Sequence, residues 1–181
     1  PAGYPLGEDL KAEIRREYER YRLAHEQILG LERTQRERLE AEPSGALQQV
    51  SSLLQLRGVG QVTSWVLVME FFAWRGFRNR RELAACAGLT PTPYSSGEMV
   101  RDQGISKAGN RRIRTLLVEL SWLWLRYQPN SALTLWYQER FAVGGKRMRR
   151  IGIVALARKL LVALWRYVEH GEIPQGAVLS A

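Results

Sequence analysis

Hydrophobic residues in the first part of the chain recur at alternating steps of four and three, which is the spacing of a heptad seam. Residues 8–42 contain no proline and one glycine, and the seam positions are Leu10, Ile14, Tyr21, Ala24, Ile28 and Leu31, with interruptions at Glu17 and Gln35. A helix of this length extends about 50 Å. Because a single narrow apolar stripe needs a second helix to cover it, the pattern predicts a coiled coil, within or between chains. The alternative is a helix that lies on the chain's own globular domain.

Beyond "EPSG" at residues 42–45, which ends this helix, the pattern changes to shorter amphipathic helices. Apolar residues recur with helical spacing in "ALQQVSSLLQL", "QVTSWVLVMEFF", "RELAAC", "RRIRTLLVELSWLWLRY", "SALTLWYQERF" and "KRMRRIGIVALARKLLVALWRYVEH". We expect Gly88 and Gly171 to terminate two of these helices, and the tail "IPQGAVLSA" to be a loose end. The predicted fold is all-α: a coiled-coil dimerisation helix at residues 1–44 and a compact helical domain at residues 45–181, with a helix-hairpin-helix-like element and a serine-bearing loop.

The helix-hairpin-helix-like element is the turn Arg57-Gly58-Val59-Gly60 between the first two apolar stretches. Glycine permits a tight turn with positive φ, and the following helix starts with unpaired backbone N–H groups. A helix N-terminus of this kind suits a phosphate, so Arg57, Gly58 and Gly60 are candidate nucleic-acid contacts. The alternative is a plain tight connection between two helices.

The serine-bearing loop lies in "GLTPTPYSSGEMVRDQGISKAGNRRIR", where Pro91 and Pro93 prevent the preceding helix from continuing. Basic residues at the start of a helix oppose its macrodipole, so helix stability does not explain those that follow this loop, whereas a bound anion would. The candidate nucleic-acid contacts here are Arg101, Lys107, Asn110, Arg111, Arg112 and Arg114. The basic start of the last helix would add to the same phosphate-facing surface; the alternative for that helix is a membrane-surface segment.

Charge separates the two parts of the chain. The 181 residues carry a formal charge of +9, but residues 1–50 hold 8 Lys/Arg against 10 Asp/Glu, whereas residues 51–181 hold 19 against 8. The basic part therefore predicts a polyanionic partner, with nucleic acid as the first candidate. One cysteine excludes a disulfide framework and fits a reducing compartment. The sequence also lacks an apolar run of the roughly 20 residues that a membrane span needs, and we expect a soluble fragment of a longer protein.

Few catalytic chemistries fit the residue types present. With only two histidines, His25 and His170, a Ser-His-Asp hydrolase or a zinc site is disfavoured. Glu98 and Asp102 alone are too few carboxylates for a two-metal nuclease, so no metal ligands are assigned. What remains is a serine hydroxyl among guanidinium groups, which suits attack on a phosphodiester because arginines neutralise the charge that develops on the phosphate oxygens. The alternative is a polar loop without catalytic function.

Three stretches together resemble a known family. "LLQLRGVGQVTSWVLVME", "AGLTPTPYSSGEMVRDQGISKAGNRRIR" and the final basic helix occur in the order found in the C-terminal transposase domain of the IS110/IS1111 insertion-sequence family, which is related to the pilin-gene invertases. The resemblance covers about residues 45–170. It implies a preceding RuvC-like domain with four acidic residues that bind Mg²⁺, which this chain lacks, and then a coiled coil.

The resemblance also implies roles for particular residues and partners. The serine directly before glycine, Ser96, would become covalently linked to DNA, with Ser95 as the second choice, and Arg101, Lys107, Arg111 and Arg112 match basic positions of the signature. Members use a structured bridge RNA to choose target and donor DNA, and assemble as dimers that pair into tetramers. The implied location is the prokaryotic cytoplasm, in association with the nucleoid. Without the acidic domain, we expect this chain alone to be inactive. A second hypothesis is a non-catalytic module for nucleic-acid binding and oligomerisation.

Overall fold

A computed structural model describes residues 3, 5–41, 45–74, 76–96 and 99–180 of the chain; within 93–103 it describes the backbone alone. The chain divides into two compact units, Pro1–Pro43 and Ser44–Ala181. The first is built on one long helix, and the second holds the remaining elements.

The long helix α1 spans Glu8–Glu40, 33 residues, and has no buried residue. It begins with Glu8 and Asp9, whose charges favour a helix N-terminus. Its seam is open to solvent: Ile14 and Ile28 are about half exposed, and Leu31 is 64% exposed. The predicted long helix is therefore present, ending two residues before the expected Glu42, while its pairing with a second helix stays a prediction.

The second unit is mainly helical, which confirms the predicted all-α class. Its helices are α2 (Ala46–Leu54), α3 (Gln61–Leu67), α4 (Arg80–Cys86), α5 (Arg111–Tyr127), α6 (Ala132–Tyr137) and α7 (Lys146–His170). Two five-residue π-helical segments, Val68–Phe72 and Gln138–Ala142, continue α3 and α6. Gly88 and Gly171 follow α4 and α7 with φ of 67° and 71°, the left-handed conformation that ends many helices. None of the described helices is long and apolar enough to cross a membrane.

The core lies where α5 packs against α7. Helix α7 buries five large aliphatic residues, which are Ile153, Leu156, Leu160, Leu161 and Leu164, and α5 buries Ile113, Leu117, Leu120 and Trp124. Burial of a side chain of this size stabilises the folded state by about 1.5–3 kcal/mol. The two longest helices of the unit are thus fixed along their apolar faces, and their other faces remain available for function.

The segment expected to be a loop forms an antiparallel β-hairpin. Strand β1 spans Pro91–Ser96 and strand β2 spans Met99–Ile105; Ser95 pairs with Val100, and Ser96 with Met99. The sequence did not predict β1 because its prolines cannot donate hydrogen bonds to a β-ladder. Proline is nevertheless tolerated in edge strands and at bulges. In a two-stranded hairpin every strand is an edge, and the register is irregular between Pro91 and Pro93.

The C-terminal tail is docked, so its expected disorder was wrong. The N–H of Arg57 donates to the carbonyl of Val178 at 3.1 Å, the N–H of Ser180 donates to the carbonyl of Gln55 at 2.6 Å, and Leu56 pairs with Leu179 as an isolated bridge. These backbone hydrogen bonds hold the segment in place, and the amino-acid composition of the tail does not reveal them.

Candidate nucleic-acid interface

A broad groove of about 1890 Å³ opens in the second unit between the outer face of α7, the start of α4 and the base of the hairpin. Nine of its twenty described lining residues are cationic, and none of these twenty is acidic. We call it the basic groove and define it by these nine cations: Arg80, Arg81, Lys107, Lys146, Arg147, Arg150, Arg158, Lys159 and Arg166.

Helix α7 supplies six of the nine cations. Positions four apart lie on the same side of a helix, and one such row of α7 alternates Arg150, Val154, Arg158, Val162 and Arg166. A parallel row runs through Arg147, Ile151, Ala155, Lys159 and Ala163. The groove-facing side of α7 therefore presents cationic turns separated by apolar turns.

The start of α7 carries an unusual concentration of positive charge. Lys146, Arg147, Arg149 and Arg150 fall within its first five residues, and its first turn has no acidic residue. Positive charge at a helix N-terminus is unfavourable by about 0.3–1 kcal/mol per group when exposed. Helix stability does not account for this cluster, whereas an anion bound in the groove would.

Little of the groove's positive charge is neutralised within the protein. Among the described side chains, only Arg166 of the nine forms an ion pair, at 4.0 Å from Glu172, and both partners are about half exposed. Surface pairs of this kind contribute about 0–1 kcal/mol. The groove consequently concentrates positive potential in a concave surface, which attracts polyanions.

The surface between the cations is apolar. It consists of Leu89, Pro91, Ile105, Leu133, Trp136, Ile151, Val154, Ala155, Val162 and Ala163. The Lys159 Nζ lies 4.6 Å from the centre of the Trp136 ring, and the Arg140 guanidinium lies 5.8 Å from it. These cation–π contacts cover part of the Trp136 ring and leave aliphatic side chains as most of the apolar surface.

The hairpin is fixed to the groove at its base. The N–H groups of Ser106, Lys107 and Asn110 donate to the carbonyls of Thr90, Gly88 and Cys86, at 2.8, 3.2 and 2.8 Å. Pro91, Gly104, Ile105 and Lys107 line the groove beside these bonds.

Two glycines make this close approach possible. A Cβ on Gly109 would lie 2.3 Å from the carbonyl oxygen of Cys86, and a Cβ on Gly88 would lie 2.4 Å from that of Ala108. Both glycines also have positive φ, 112° and 67°. The glycines of "AGLTP" and "SKAGN" are therefore required by backbone packing at the root of the hairpin.

The candidate nucleophile lies on this hairpin. Ser96 is the last residue of β1 and five residues beyond Pro91, so its backbone is about 17 Å from that of Pro91 along an extended strand. The side chains of Ser96, Ser95 and Arg101 lie outside the described residues, as do Gly97 and Glu98 altogether.

The predicted contacts in the Arg57-Gly58-Val59-Gly60 turn lie away from the basic groove. Gly58 has the expected positive φ, 91°, and its Cβ would lie 2.8 Å from the Tyr127 Cβ of α5, whereas Gly60 has φ of −89°. The Arg57 carbonyl accepts a hydrogen bond from Gln128 Nε2 at 2.8 Å. Helix packing and the docked tail thus explain most of this turn's geometry, and its phosphate contact stays a prediction.

Two other residues predicted to contact nucleic acid form hydrogen bonds within the protein. The Asn110 side-chain oxygen caps α5 by accepting from the N–H of Ile113 at 3.1 Å, and the Arg114 guanidinium donates to the carbonyl of Ala87 at 3.2 Å. The Arg114 bond joins α5 to the end of α4.

Arg111 and Arg112 border a separate, smaller hollow with Val62, Val66, Thr115, Leu116 and Glu119, and Arg112 is ion-paired with Glu70. Of the predicted nucleic-acid contacts whose side chains the structure describes, a set that excludes Arg101, Lys107 alone lines the basic groove. The sequence predicted Lys107 and the basic start of α7 as part of a phosphate-facing surface, but not the cations of α4 or of the later turns of α7. The alternation of arginine and valine at every fourth residue of α7 is the sequence pattern that could have predicted the cations of its later turns.

Comparison with known proteins identifies relatives of this chain. Residues 50–136 match the family described as "Transposase IS116/IS110/IS902 family". The chain is 45% identical over 186 residues to the putative transposase y4rJ of Sinorhizobium fredii, an alignment that covers 98% of this chain and 47% of that protein.

More distant relatives have similar names. The chain is 26% identical to the transposase for insertion sequence element IS1328 of Yersinia enterocolitica, over 88% of this chain and 46% of that protein. It is 32% identical to the transposase for insertion sequence element IS1111A of Coxiella burnetii, over 64% of this chain and 31% of that protein. The chain spans about half the length, or less, of the curated relatives it matches.

Proposed function

Because the chain belongs to the IS116/IS110/IS902 family of transposases, we propose that it is the nucleic-acid-binding, serine-bearing part of a transposase that cuts and rejoins DNA. In this proposal the second unit binds nucleic acid through the basic groove, and Ser96 is the nucleophile. The observation that carries the proposal is the attachment of the serine hairpin to a groove lined by nine cations.

The reaction we propose is transesterification. The Ser96 hydroxyl oxygen forms a bond to phosphorus, the bond from phosphorus to one nucleotide oxygen breaks, and the serine proton is lost as the departing nucleotide becomes a hydroxyl. Negative charge on the phosphate oxygens during this step favours nearby guanidinium groups, and Arg101 on β2 pairs with Tyr94 two residues before Ser96.

We propose no metal site within the described residues and assign metal binding to another domain. The described residues contain no group of three or more His, Cys, Asp or Glu side chains that could hold one, so they do not fit a Mg²⁺ site. We propose that Mg²⁺ is held by an RuvC-like domain outside this chain and that the active site is shared between the two domains. The 181-residue chain alone should then leave DNA strands intact.

Two partners complete the proposal. The exposed seam of α1 suits pairing with the same helix of a second copy, which gives a dimer and, by pairing of dimers, a tetramer. The second partner is a bridge RNA that selects the DNA, in keeping with the surplus of positive charge in residues 51–181. The proposed location is the prokaryotic cytoplasm, at the nucleoid.

The deciding experiment uses the full-length transposase with its RNA, Mg²⁺ and cognate DNA. Denaturing electrophoresis and peptide mass mapping should find DNA covalently attached to the peptide that contains Ser96. The Ser96→Ala variant should lose this adduct, and the neighbouring Ser95→Ala variant should retain it. Recombination that continues in a folded Ser96→Ala variant would refute the catalytic role.

A second candidate function is a non-catalytic module that binds nucleic acid and oligomerises. It is favoured by the fact that the basic groove and the exposed α1 seam need no contribution from the serine. Under this alternative, Ser96→Ala would leave every measured activity unchanged, while substitutions in the groove would still abolish nucleic-acid binding.

A further inference from the structure

We propose that the basic groove binds an unpaired, single-stranded segment of nucleic acid, with its phosphates on the cationic turns and its bases against the apolar surface between them. This inference rests on the proposed nucleic-acid-binding function and specifies which form of nucleic acid the groove accepts.

The size and charge of the groove indicate a polymer. Its volume of about 1890 Å³ exceeds the roughly 300–1,000 Å³ typical of small-molecule pockets. Nine cations with a single described ion pair far exceed what one small anion could neutralise. A phosphate backbone supplies charges at regular intervals and releases counterions when lysine and arginine replace them.

The apolar surface favours unpaired bases over a duplex. A duplex encloses its bases and presents sugars and phosphates to a groove, so the apolar lining residues that remain accessible would have no apolar partner. Unpaired bases expose apolar faces, and single-strand binding sites combine a positive track with apolar or aromatic contacts to bases. Val154, Ala155, Val162 and Ala163 are only half-buried in the protein alone, so a base could cover them further.

The spacing along α7 fits such a strand. Arg150, Arg158 and Arg166 are separated by eight residues each, which is about 12 Å at 1.5 Å per residue. The lining part of α7, from Lys146 to Arg166, is about 30 Å long on the same measure. This length corresponds to about nine nucleotides if they are stacked at 3.4 Å each.

Binding and chemistry are assigned to different residues. Six of the nine cations that we propose to hold the strand lie on α7, whereas the proposed nucleophile Ser96 ends β1.

The test is fluorescence anisotropy with the 181-residue chain and three labelled probes: twelve-nucleotide oligo(dT), twelve-nucleotide oligo(U) and a twelve-base-pair DNA duplex. At least one single strand should bind about tenfold or more tightly than the duplex at the same salt concentration. The better of the two strands identifies the source as DNA or RNA. A duplex that binds as tightly as both single strands would overturn the proposal.

Two sets of variants separate charge from apolar contact. The combined change Arg150→Gln, Arg158→Gln and Arg166→Gln should lower the slope of log K against log[salt] by about 2, at roughly 0.7 per lost single-strand contact. The isosteric pair Val154→Thr and Val162→Thr should weaken single-strand binding severalfold and leave the salt slope unchanged. A surface that binds by charge alone would not respond to the threonine pair, and that result would refute the role of the bases.

A charge-matched control removes three exposed arginines of α1 instead: Arg33→Gln, Arg36→Gln and Arg38→Gln. It should bind like the unmodified chain, and equal losses in the control and the groove triple would overturn the proposal. Circular dichroism melts check that each variant is folded. If the groove triple weakens binding but the duplex binds as tightly as both single strands, this inference fails while the proposed function stands. If the groove prefers single strands but the full-length protein forms no Ser96 adduct, this inference stands and the proposed catalytic role of Ser96 fails.

Discussion

Substitution of Gln128 should release the C-terminal tail and destabilise the second unit. Its side chain is fully buried at the end of α5. The Nε2 group donates to the carbonyls of Arg57 and Val178, each at 2.8 Å, and Oε1 accepts from the N–H of Val178 at 2.7 Å. Gln128→Met keeps the length of the side chain and removes all three bonds, so it isolates the hydrogen bonding.

The magnitude follows from the backbone groups left without partners. The Val178 carbonyl still accepts from the N–H of Arg57, whereas the Arg57 carbonyl and the Val178 N–H have no other hydrogen bond among the described residues. Each unsatisfied buried group costs about 1–3 kcal/mol. Because Arg57 and Val178 are both exposed residues, water can reach part of the site after the tail moves. We therefore expect a loss of about 2–3 kcal/mol in the free energy of unfolding, near the lower end of the sum for two groups.

Urea unfolding followed by tryptophan fluorescence measures this loss. All six tryptophans lie in the second unit, at residues 65, 74, 122, 124, 136 and 165, so the signal does not report α1. With a slope of about 1–3 kcal/mol per molar urea, the midpoint should fall by about 1–2 M. The exposed Gln138→Met is the matched control and should change stability by less than about 0.5 kcal/mol. A loss below about 1 kcal/mol in Gln128→Met would show that these bonds do not hold the tail.

Three further substitutions test other parts of the second unit. Gly109→Ala adds a Cβ to a residue with φ of 112°, and this Cβ would lie 2.3 Å from a carbonyl oxygen of α4; urea unfolding should therefore show a loss of about 2–5 kcal/mol in the free energy of unfolding. The control Gly60→Ala has φ of −89° and open space around its Cβ, so it should lose less than about 1 kcal/mol. Equal losses in the two variants would contradict the steric argument. Asn110→Ala should cost about 1 kcal/mol by removing the cap of α5, and Asn110→Asp should restore it; a failure of aspartate to restore stability would argue against capping. Burial raises the pKa of Tyr167 above 10.0, so the folded state keeps this proton longer than the unfolded state and stability falls as pH rises above about 10. In Tyr167→Phe this alkaline decline should be shallower, and identical declines would rule out the contribution of this phenol.

Helical periodicity explains which parts of the fold could be predicted. Residues of α1, α5 and α7 repeat their apolar positions over 17 to 33 residues, a span long enough for the period to be unambiguous. The hairpin was not predicted because prolines and glycines interrupt its two short strands, and because pairing between β1 and β2 depends on contacts that a local pattern does not contain.

The groove could be predicted only in part, for a different reason. Its cations come from residues 80–81, 107 and 146–166, and their convergence is a consequence of tertiary packing. A sequence also does not reveal which polar groups of a basic motif are used internally. Asn110 and Arg114 lie in the same short motif as Lys107, yet the first caps a helix and the second bonds to a backbone carbonyl, whereas Lys107 faces the groove.

The attached hairpin connects the basic groove to the strand that carries the serine. A two-stranded hairpin is marginally stable alone, so the position of Ser96 depends on how rigidly the base is held. Three backbone hydrogen bonds and the close backbone approach at two glycines join the base to the end of α4 and the segment that follows it. Lys107 adopts a φ of 55° at this point, a conformation that costs a non-glycine residue of the order of 1 kcal/mol. Such strain persists only where the surrounding contacts impose it. Lys107 also lines the groove, so nucleic acid bound there would contact a residue at the base of the hairpin that carries Ser96.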